Sequence, residues 1–358
     1  MTDEKVLVSG CNGYIALHVL DILLSEGYHV IGTVRSEGKG TKVKDSFAKL
    51  YPYAKLDIEV VTDISKPGAF DAVFKKYPDL QHVLHMAANF SFGSDQSNEE
   101  TYLKPSTEGT KSILETVVQS GSNVKTFVQT SSFASIMNND NQTSLHTEAT
   151  WNPITWDQAK DNSLDAYCAS KKLAEKLAWD FLKENAAQVK FRYTAVCPPY
   201  VLGPQMFDWG LDGETLNTSA EIVNNAVKST PSSEGPFDTP SGIATDVRDV
   251  ALLHMLPLRN EKLGGQRLFP VCGASLTKPD YENARFNPQR ILDVVNANFP
   301  QLKGKIASGD VKDNKKVLEK TFHYNTDLTC KLTGVEFKTL ETSIIDSVKQ
   351  ILEHREKK

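Results

Sequence analysis

Tyr167 and Lys171 stand four residues apart in Tyr167-Cys168-Ala169-Ser170-Lys171. On a helix that spacing brings the phenol and the ammonium to one face. A tyrosine ionises near pH 10, and moving it to neutrality takes about 4 kcal/mol. A cation about 4 Å away supplies about that much at an effective dielectric of about 20. The pair is therefore suited to general acid chemistry at neutral pH. Upstream, Thr130-Ser131-Ser132 closes an apolar run, which puts the Ser132 hydroxyl where it could share an oxygen atom with Tyr167. A second Tyr-x-x-x-Lys, Tyr51 to Lys55, is interrupted by Pro52 and is expected to be incidental.

The other chemical signal lies near the N-terminus, in Gly10-Cys11-Asn12-Gly13-Tyr14-Ile15-Ala16. Glycine at 10 and 13 lets backbone amides come close to a phosphate at a helix N-terminus, and Ala16 is the small residue at the helix–strand contact. The motif follows an apolar run and opens an amphipathic pattern, the context a dinucleotide loop requires. Gly210-Leu211-Asp212-Gly213 repeats the spacing in an irregular segment and is expected to be a plain turn. An enzyme that reads unphosphorylated ribose offers Asp or Glu after the second strand. Here Arg35 takes that place and Lys39 follows, with Glu37 between them. A guanidinium fork suits a 2′-phosphate, so NADP(H) is the expected cofactor.

These groups must be held by an alternation of strands and helices. Residues 6–8, 30–34, 58–61, 83–84, 127–128 and 191–196 are short apolar or β-branched runs, expected to be strands. Ile15, Val19, Ile22 and Leu23 mark one helical face, Ile113, Val117 and Val118 another, and Leu173, Leu177 and Phe181 a third. The alternation predicts an α/β fold, a Rossmann-type doubly wound parallel sheet with helices on both faces. Residues 1–197 are expected to form this NADP-binding domain. Residues 198–358 are expected to form mainly a smaller substrate-binding lobe, with about 219–256 returning to the Rossmann sheet. In that second part, helices are expected at 219–227, 289–299 and 340–352.

Composition narrows the function. The 358 residues carry a net charge of −5, with 40% hydrophobic and 24% charged residues, a globular balance that does not favour nucleic acid as a partner. No apolar run approaches the roughly 18 residues of a membrane span, so no membrane partner is expected. The first strand is expected within the opening residues, so no signal peptide is expected. Five scattered cysteines without paired spacing are expected to be free thiols in a cytoplasmic protein. His82 and His85, three apart on a strand, point to opposite faces, so no metal site is expected.

In these motifs the chain resembles the extended short-chain dehydrogenases/reductases. Within them it is most similar to the NADPH-dependent carbonyl reductases that act on methylglyoxal and 3-methylbutanal, relatives of dihydroflavonol reductase. The likeness runs nearly end to end. It includes Val8-Ser9-Gly10-Cys11-Asn12-Gly13, Asp63-Ile64-Ser65, Thr130-Ser131-Ser132, Ala166-Tyr167-Cys168, the run from Tyr200 through Asp208, and Asp246-Val247-Arg248-Asp249-Val250-Ala251. The resemblance implies Ser132, Tyr167 and Lys171 as the catalytic triad and Arg35 and Lys39 on the 2′-phosphate. It implies Asp63 and Ile64 on the adenine, and Gly10, Asn12, Gly13, Tyr14, Ile15, Ala87, Tyr167, Lys171, Pro198, Val201 and Ser219 along the rest of the cofactor. Phe90, Phe133 and Tyr200 match substrate-binding aromatics, and Met206, Phe207 and Trp209 would extend an apolar pocket. Cys197-Pro198 stands where family members often carry Asn-Pro, and Ala88-Asn89 where they carry Ser-Pro; both departures bear on substrate range.

The expected reaction is reduction of a small-molecule aldehyde or ketone by a monomer or homodimer. A nucleotide-sugar epimerase or dehydratase of the same superfamily is one alternative, disfavoured by the missing acidic residue after the second strand. A non-catalytic NADP sensor is another, and it would have no use for Tyr167 or Lys171.

Overall fold

The computed structural model of the chain describes residues 4–88, 97–160, 162–277 and 284–358. The chain divides into two compact units. The first comprises Met1–Asn138, Ala149–Cys197 and Ala251–Leu268, and the second Asn139–Glu148, Pro198–Val250 and Phe269–Lys358.

The first unit is built on seven strands: β1 (Lys5–Ser9), β2 (His29–Val34), β3 (Leu56–Val60), β4 (His82–His85), β5 (Thr126–Thr130), β6 (Arg192–Val196) and β7 (Gln266–Leu268). They pair in the order β7-β6-β5-β4-β1-β2-β3, every pair parallel. Val6, Leu7, Val8, Val30, Ile31, Val83, Leu84, Phe127 and Val128 are fully buried, as strands covered on both faces must be. Helices α1 (Tyr14–Ser25), α2 (Glu37–Leu50), α3 (Asp71–Lys76), α4 (Lys104–Ser120) and α5 (Ser163–Glu184) supply the covering layers.

Register decides where the loops emerge. Ser9 pairs with both Thr33 and His85, His85 with Gln129, and Val34 with Val60. The carboxyl ends of β1 to β5 therefore lie along one sheet edge. The strand order runs outward in opposite senses from β1 and β4, and such a switch point is where doubly wound sheets take a ligand.

The second unit holds a three-stranded sheet, with Tyr200–Leu202 parallel and Arg285–Phe286 antiparallel to Gly242–Asp246. It also has a two-stranded pair, Leu145–His146 with His323–Tyr324. Its helices Thr218–Lys228, Pro288–Asn298 and Leu340–Glu356 pack on one another.

Two expectations are corrected. The segment rejoining the Rossmann sheet is 251–268 rather than 219–256, because β7 pairs with β6 whereas helix Thr218–Lys228 and strand Gly242–Asp246 stay in the second unit. The buried face of α5 is also not the Leu173–Leu177–Phe181 stripe. Ala166, Cys168, Ala169, Ser170, Ala174, Glu175 and Ala178 are buried there, while the three larger side chains are only half-buried. Small residues let α5 pack closely on α4 and on the turn Phe133–Ser135.

Candidate active site

The glycine loop has the geometry that a phosphate cradle needs. Gly10 has φ +67°, and a Cβ there would lie 2.9 Å from the Ala87 Cα. A side chain at 10 would thus be strained and would collide with backbone. Gly13 forms the N-cap of α1, no side chain caps its amides, and no acidic residue stands in its first turn. Such an end, with Asn12 half-buried and Gly13 exposed beside it, presents amide hydrogens and the positive end of the helix dipole. Tyr14 and Ile15, also half-buried, open the helix, with the Tyr14 ring edge-on to His18 at 6.0 Å.

The exit from β4 is fixed by Ser9, which sequence reasoning passed over. Its buried hydroxyl oxygen accepts from the amides of Met86 and Ala87, both at 3.0 Å, and lies 3.0 Å from His85 Nδ1. With both amides donating, the Ser9 proton points to Nδ1, so His85 carries its own proton on Nε2. Burial, then the nearby Lys171 charge, pushes the His85 pKa down to about 3, so the ring is neutral. The only hint in the sequence was the hydroxyl directly before Gly10.

Arg35 follows β2 directly, and both it and Lys39 on α2 are exposed. Neither makes an ion pair among the described residues. Two uncommitted cations at the end of the second strand fit an anionic group on a cofactor ribose. After β3, Asp63 Oδ1 accepts from the Ser65 amide at 3.0 Å and its hydroxyl at 2.6 Å, which holds its carboxyl below the usual range. Ile64 is buried, and a Cβ on Gly109 of α4 would lie 3.0 Å from its Cδ1.

After β5, Ser132 is buried and extended, and its oxygen accepts from the Ala134 amide at 3.1 Å, capping the turn Phe133–Ser135. That use leaves the Ser132 proton available to a second oxygen. On α5, started by Asn162 accepting from the Leu164 and Asp165 amides, Tyr167 packs against a cluster containing Tyr102, Leu103, Ala159, Ala166 and Ala169. Lys171 Nζ lies 6.0 Å from the Tyr167 ring centroid. Burial of the ammonium lowers the Lys171 pKa to about 8. The spare motif behaves in the opposite way: Tyr51 donates to Asp21 at 2.7 Å, and burial followed by that carboxylate pushes its pKa up to about 12.

Gly10, Asn12, Gly13, Arg35, Lys39, Asp63, Ile64, Ala87, Ser132, Phe133, Tyr167 and Lys171 thus belong to one unit, most of them on loops leaving one sheet edge. Phe133 is buried, and Phe90 lies outside the described residues. Pro198, Tyr200, Val201 and Ser219 belong to the second unit. There Val201 is buried, Tyr200 is exposed and edge-on to Phe286 at 5.5 Å, and Ser219 lies in the first turn of its helix.

A family model, that of the NAD dependent epimerase/dehydratase family, matches residues 6–262. The chain belongs to this family. Within it the chain is 41% identical to the NADPH-dependent methylglyoxal reductase GRE2 of Saccharomyces cerevisiae, across 97% of this chain and 98% of that protein. It is 36% identical to a putative NADPH-dependent methylglyoxal reductase of Candida albicans, across 98% and 99%. The crystal structure of yeast methylglyoxal/isovaleraldehyde reductase Gre2 with NADPH superposes with a TM-score of 0.89 at 38% identity, covering 99% of this chain and all of that one. These matches place the chain among the extended short-chain dehydrogenases/reductases, with the Rossmann architecture seen in its first unit. All five cysteines are free and buried, and among the described residues no helix is long and apolar enough to cross a membrane.

Proposed function

We propose that this protein is an NADPH-dependent carbonyl reductase acting on small aldehydes, ketones and diketones of the methylglyoxal and 3-methylbutanal kind. The observation that carries the reading is the Lys171 ammonium beside the Tyr167 ring on one face of α5. NADPH, when bound, supplies the hydride that goes to the carbonyl carbon. Tyr167 gives its proton to the carbonyl oxygen, and Ser132 donates a hydrogen bond to the same oxygen. Lys171 favours the ionised phenol that remains and holds the nicotinamide ribose. The free cations at 35 and 39, the close approach of Gly10 to Ala87 and the uncapped start of α1 support a phosphorylated dinucleotide. The names borne by its relatives support the substrate class.

The first unit then binds NADP(H), and the second takes the larger part in substrate recognition. Buried, unpaired thiols suit the reducing cytoplasm. The net charge of −5 argues against nucleic acid. The protein acts as a monomer or homodimer.

The test is absorbance at 340 nm with methylglyoxal, 3-methylbutanal, a diketone and UDP-glucose in turn. Graded NADPH oxidation by the carbonyls is expected. Each methylene of difference should change the transition-state energy by about 1–3 kcal/mol at most. No NADPH oxidation with any of the carbonyls, together with conversion of UDP-glucose to its epimer in a separate product assay, would replace this reading with an epimerase.

Cofactor choice gives a sharper prediction. NADPH should be preferred over NADH by at least about tenfold in kcat/KM, which needs about 1.4 kcal/mol. Arg35→Ala should raise KM for NADPH, leave the NADH constants nearly unchanged and spare kcat at saturating NADPH. Lys39 partly substitutes, so the double variant loses more. Equal weakening of both cofactors would show that Arg35 supports structure instead of reading the phosphate.

A further inference from the structure

One helical turn beyond Lys171, the buried face of α5 carries a carboxylate. Glu175 is fully buried, and Arg267 on β7, itself buried, donates from Nε to its Oε1 at 2.6 Å. Trp179 Nε1 donates to the same oxygen at 3.2 Å. The other oxygen, Oε2, faces the serine loop: Ser131 donates at 2.5 Å, and the Ser135 hydroxyl lies 2.7 Å away. Ser135 is also 2.7 Å from the Ser132 carbonyl oxygen and accepts from Arg267 Nη2 at 2.9 Å. Arg267 is fixed in turn by the Thr150 carbonyl at 2.5 Å and by the Trp151 ring, 4.0 Å from its guanidinium. Cys197, the departure noted at the end of β6, has its sulfur 3.6 Å from Glu175 Oε2, and burial and that carboxylate push its pKa up to about 12. It remains a thiol and a weak donor to the same carboxylate.

A buried ion pair seldom stabilises a fold more than apolar residues of the same volume would, and in some proteins such a pair serves to fix geometry. The geometry here is specific. Residues 131 and 135 flank Ser132, and both reach one carboxylate on the helix that carries Tyr167 and Lys171. We infer that Glu175, held by Arg267, is a positioning residue that sets the separation of Ser132 from Tyr167 by tying the serine loop to α5. The inference rests on the proposed roles of Ser132 and Tyr167. Glu175 touches neither substrate nor cofactor; it acts through Ser131 and Ser135. Without the tie the loop drifts, and the Ser132 hydrogen bond to the carbonyl oxygen is made less often, while NADPH binding is unaffected.

The test is a mutant cycle on the full chain with NADPH and methylglyoxal. Ser131→Ala with Ser135→Ala cuts the tie but keeps the ion pair, so folding is retained. Its kcat should fall about tenfold, within the cost known for small misplacements of reacting groups, with KM for NADPH within about twofold. In a Ser132→Ala background the same two substitutions should cost less than about twofold, because the hydrogen bond they aim is already gone. Glu175→Gln should behave likewise; if it fails to fold, the serine pair decides. An equal loss in both backgrounds would mean a purely structural network and would overturn the inference. A slow Ser132→Ala with a normal serine-pair variant would overturn it while sparing the site. A normal Ser132→Ala would overturn the site reading and this inference with it.

Discussion

Tyr167→Phe is expected to lower kcat at least about a hundredfold, the low end for a lost general acid. The ring packs against the cluster of Tyr102, Leu103, Ala159, Ala166 and Ala169, and phenylalanine keeps that packing. The fold and the melting temperature should therefore stay close to wild type. What disappears is the proton that the carbonyl oxygen must receive as hydride arrives. Ser132 cannot replace it: its hydroxyl can donate a hydrogen bond to the carbonyl oxygen, but an alcohol is a far weaker acid than a phenol beside an ammonium and does not give the proton up. Single-turnover mixing of enzyme, NADPH and a saturating aldehyde measures the step directly. Turnover within a few fold of wild type would remove Tyr167 from the mechanism.

Lys171→Met should abolish most activity and yet stabilise the free protein. Burial holds the Lys171 pKa near 8, against 10.5 for an ordinary lysine. At neutral pH the folded chain carries an ammonium that it would hold more easily unfolded, at a cost of up to about 3 kcal/mol. The sign follows from the lowered value: the cost is fully present below about pH 8 and fades as pH rises toward the unfolded pKa. Methionine has a similar length and no charge to desolvate. The variant should thus melt higher than wild type at pH 7, and the gap should narrow by pH 9.5. The same titration should appear in wild-type kcat/KM as a decline above about pH 8, since that parameter reports groups of the free enzyme. A variant that melts lower at pH 7, or a gap that ignores pH, would contradict this account of the buried ammonium.

The parts of the candidate site that were legible in the sequence are those written by local rules. A glycine needing positive φ, a helix entry and an i, i+4 pair are each set by neighbouring residues, and Gly10, Gly13, Tyr167 and Lys171 could be read from spacing alone. Helix α2 escaped because its pattern is thin: only Gly40, Val43 and Phe47 are buried, and Gly38 and Gly40 weaken its helical signal. Strand β7 escaped because three residues carry no periodicity, and its pairing with β6 is a matter of topology. The Glu175–Arg267 pair joins residues far apart in the chain, and only the folded sheet brings them together. One clue was present. A carboxylate four residues after Lys171 falls on the same helical face as the ammonium, and a charge on a face lined by Ala174 and Ala178 asks for a partner.

The late arrival of β7 also governs how the protein can be made. A ribosome that has released residues up to Cys197 has delivered six of the sheet's strands, but β6 ends there with an open edge, the kind of surface that invites pairing with another chain. The arginine for Glu175 is still untranslated at that moment. The nascent chain must wait through the whole of Pro198–Val250, which belongs to the other unit, before its first unit can close. Exposed strand edges of that kind make a partly folded chain prone to aggregate. A gene fragment cut at Cys197 would encode the glycine loop, the serine and the Tyr-Lys pair without the last strand of the sheet that carries them.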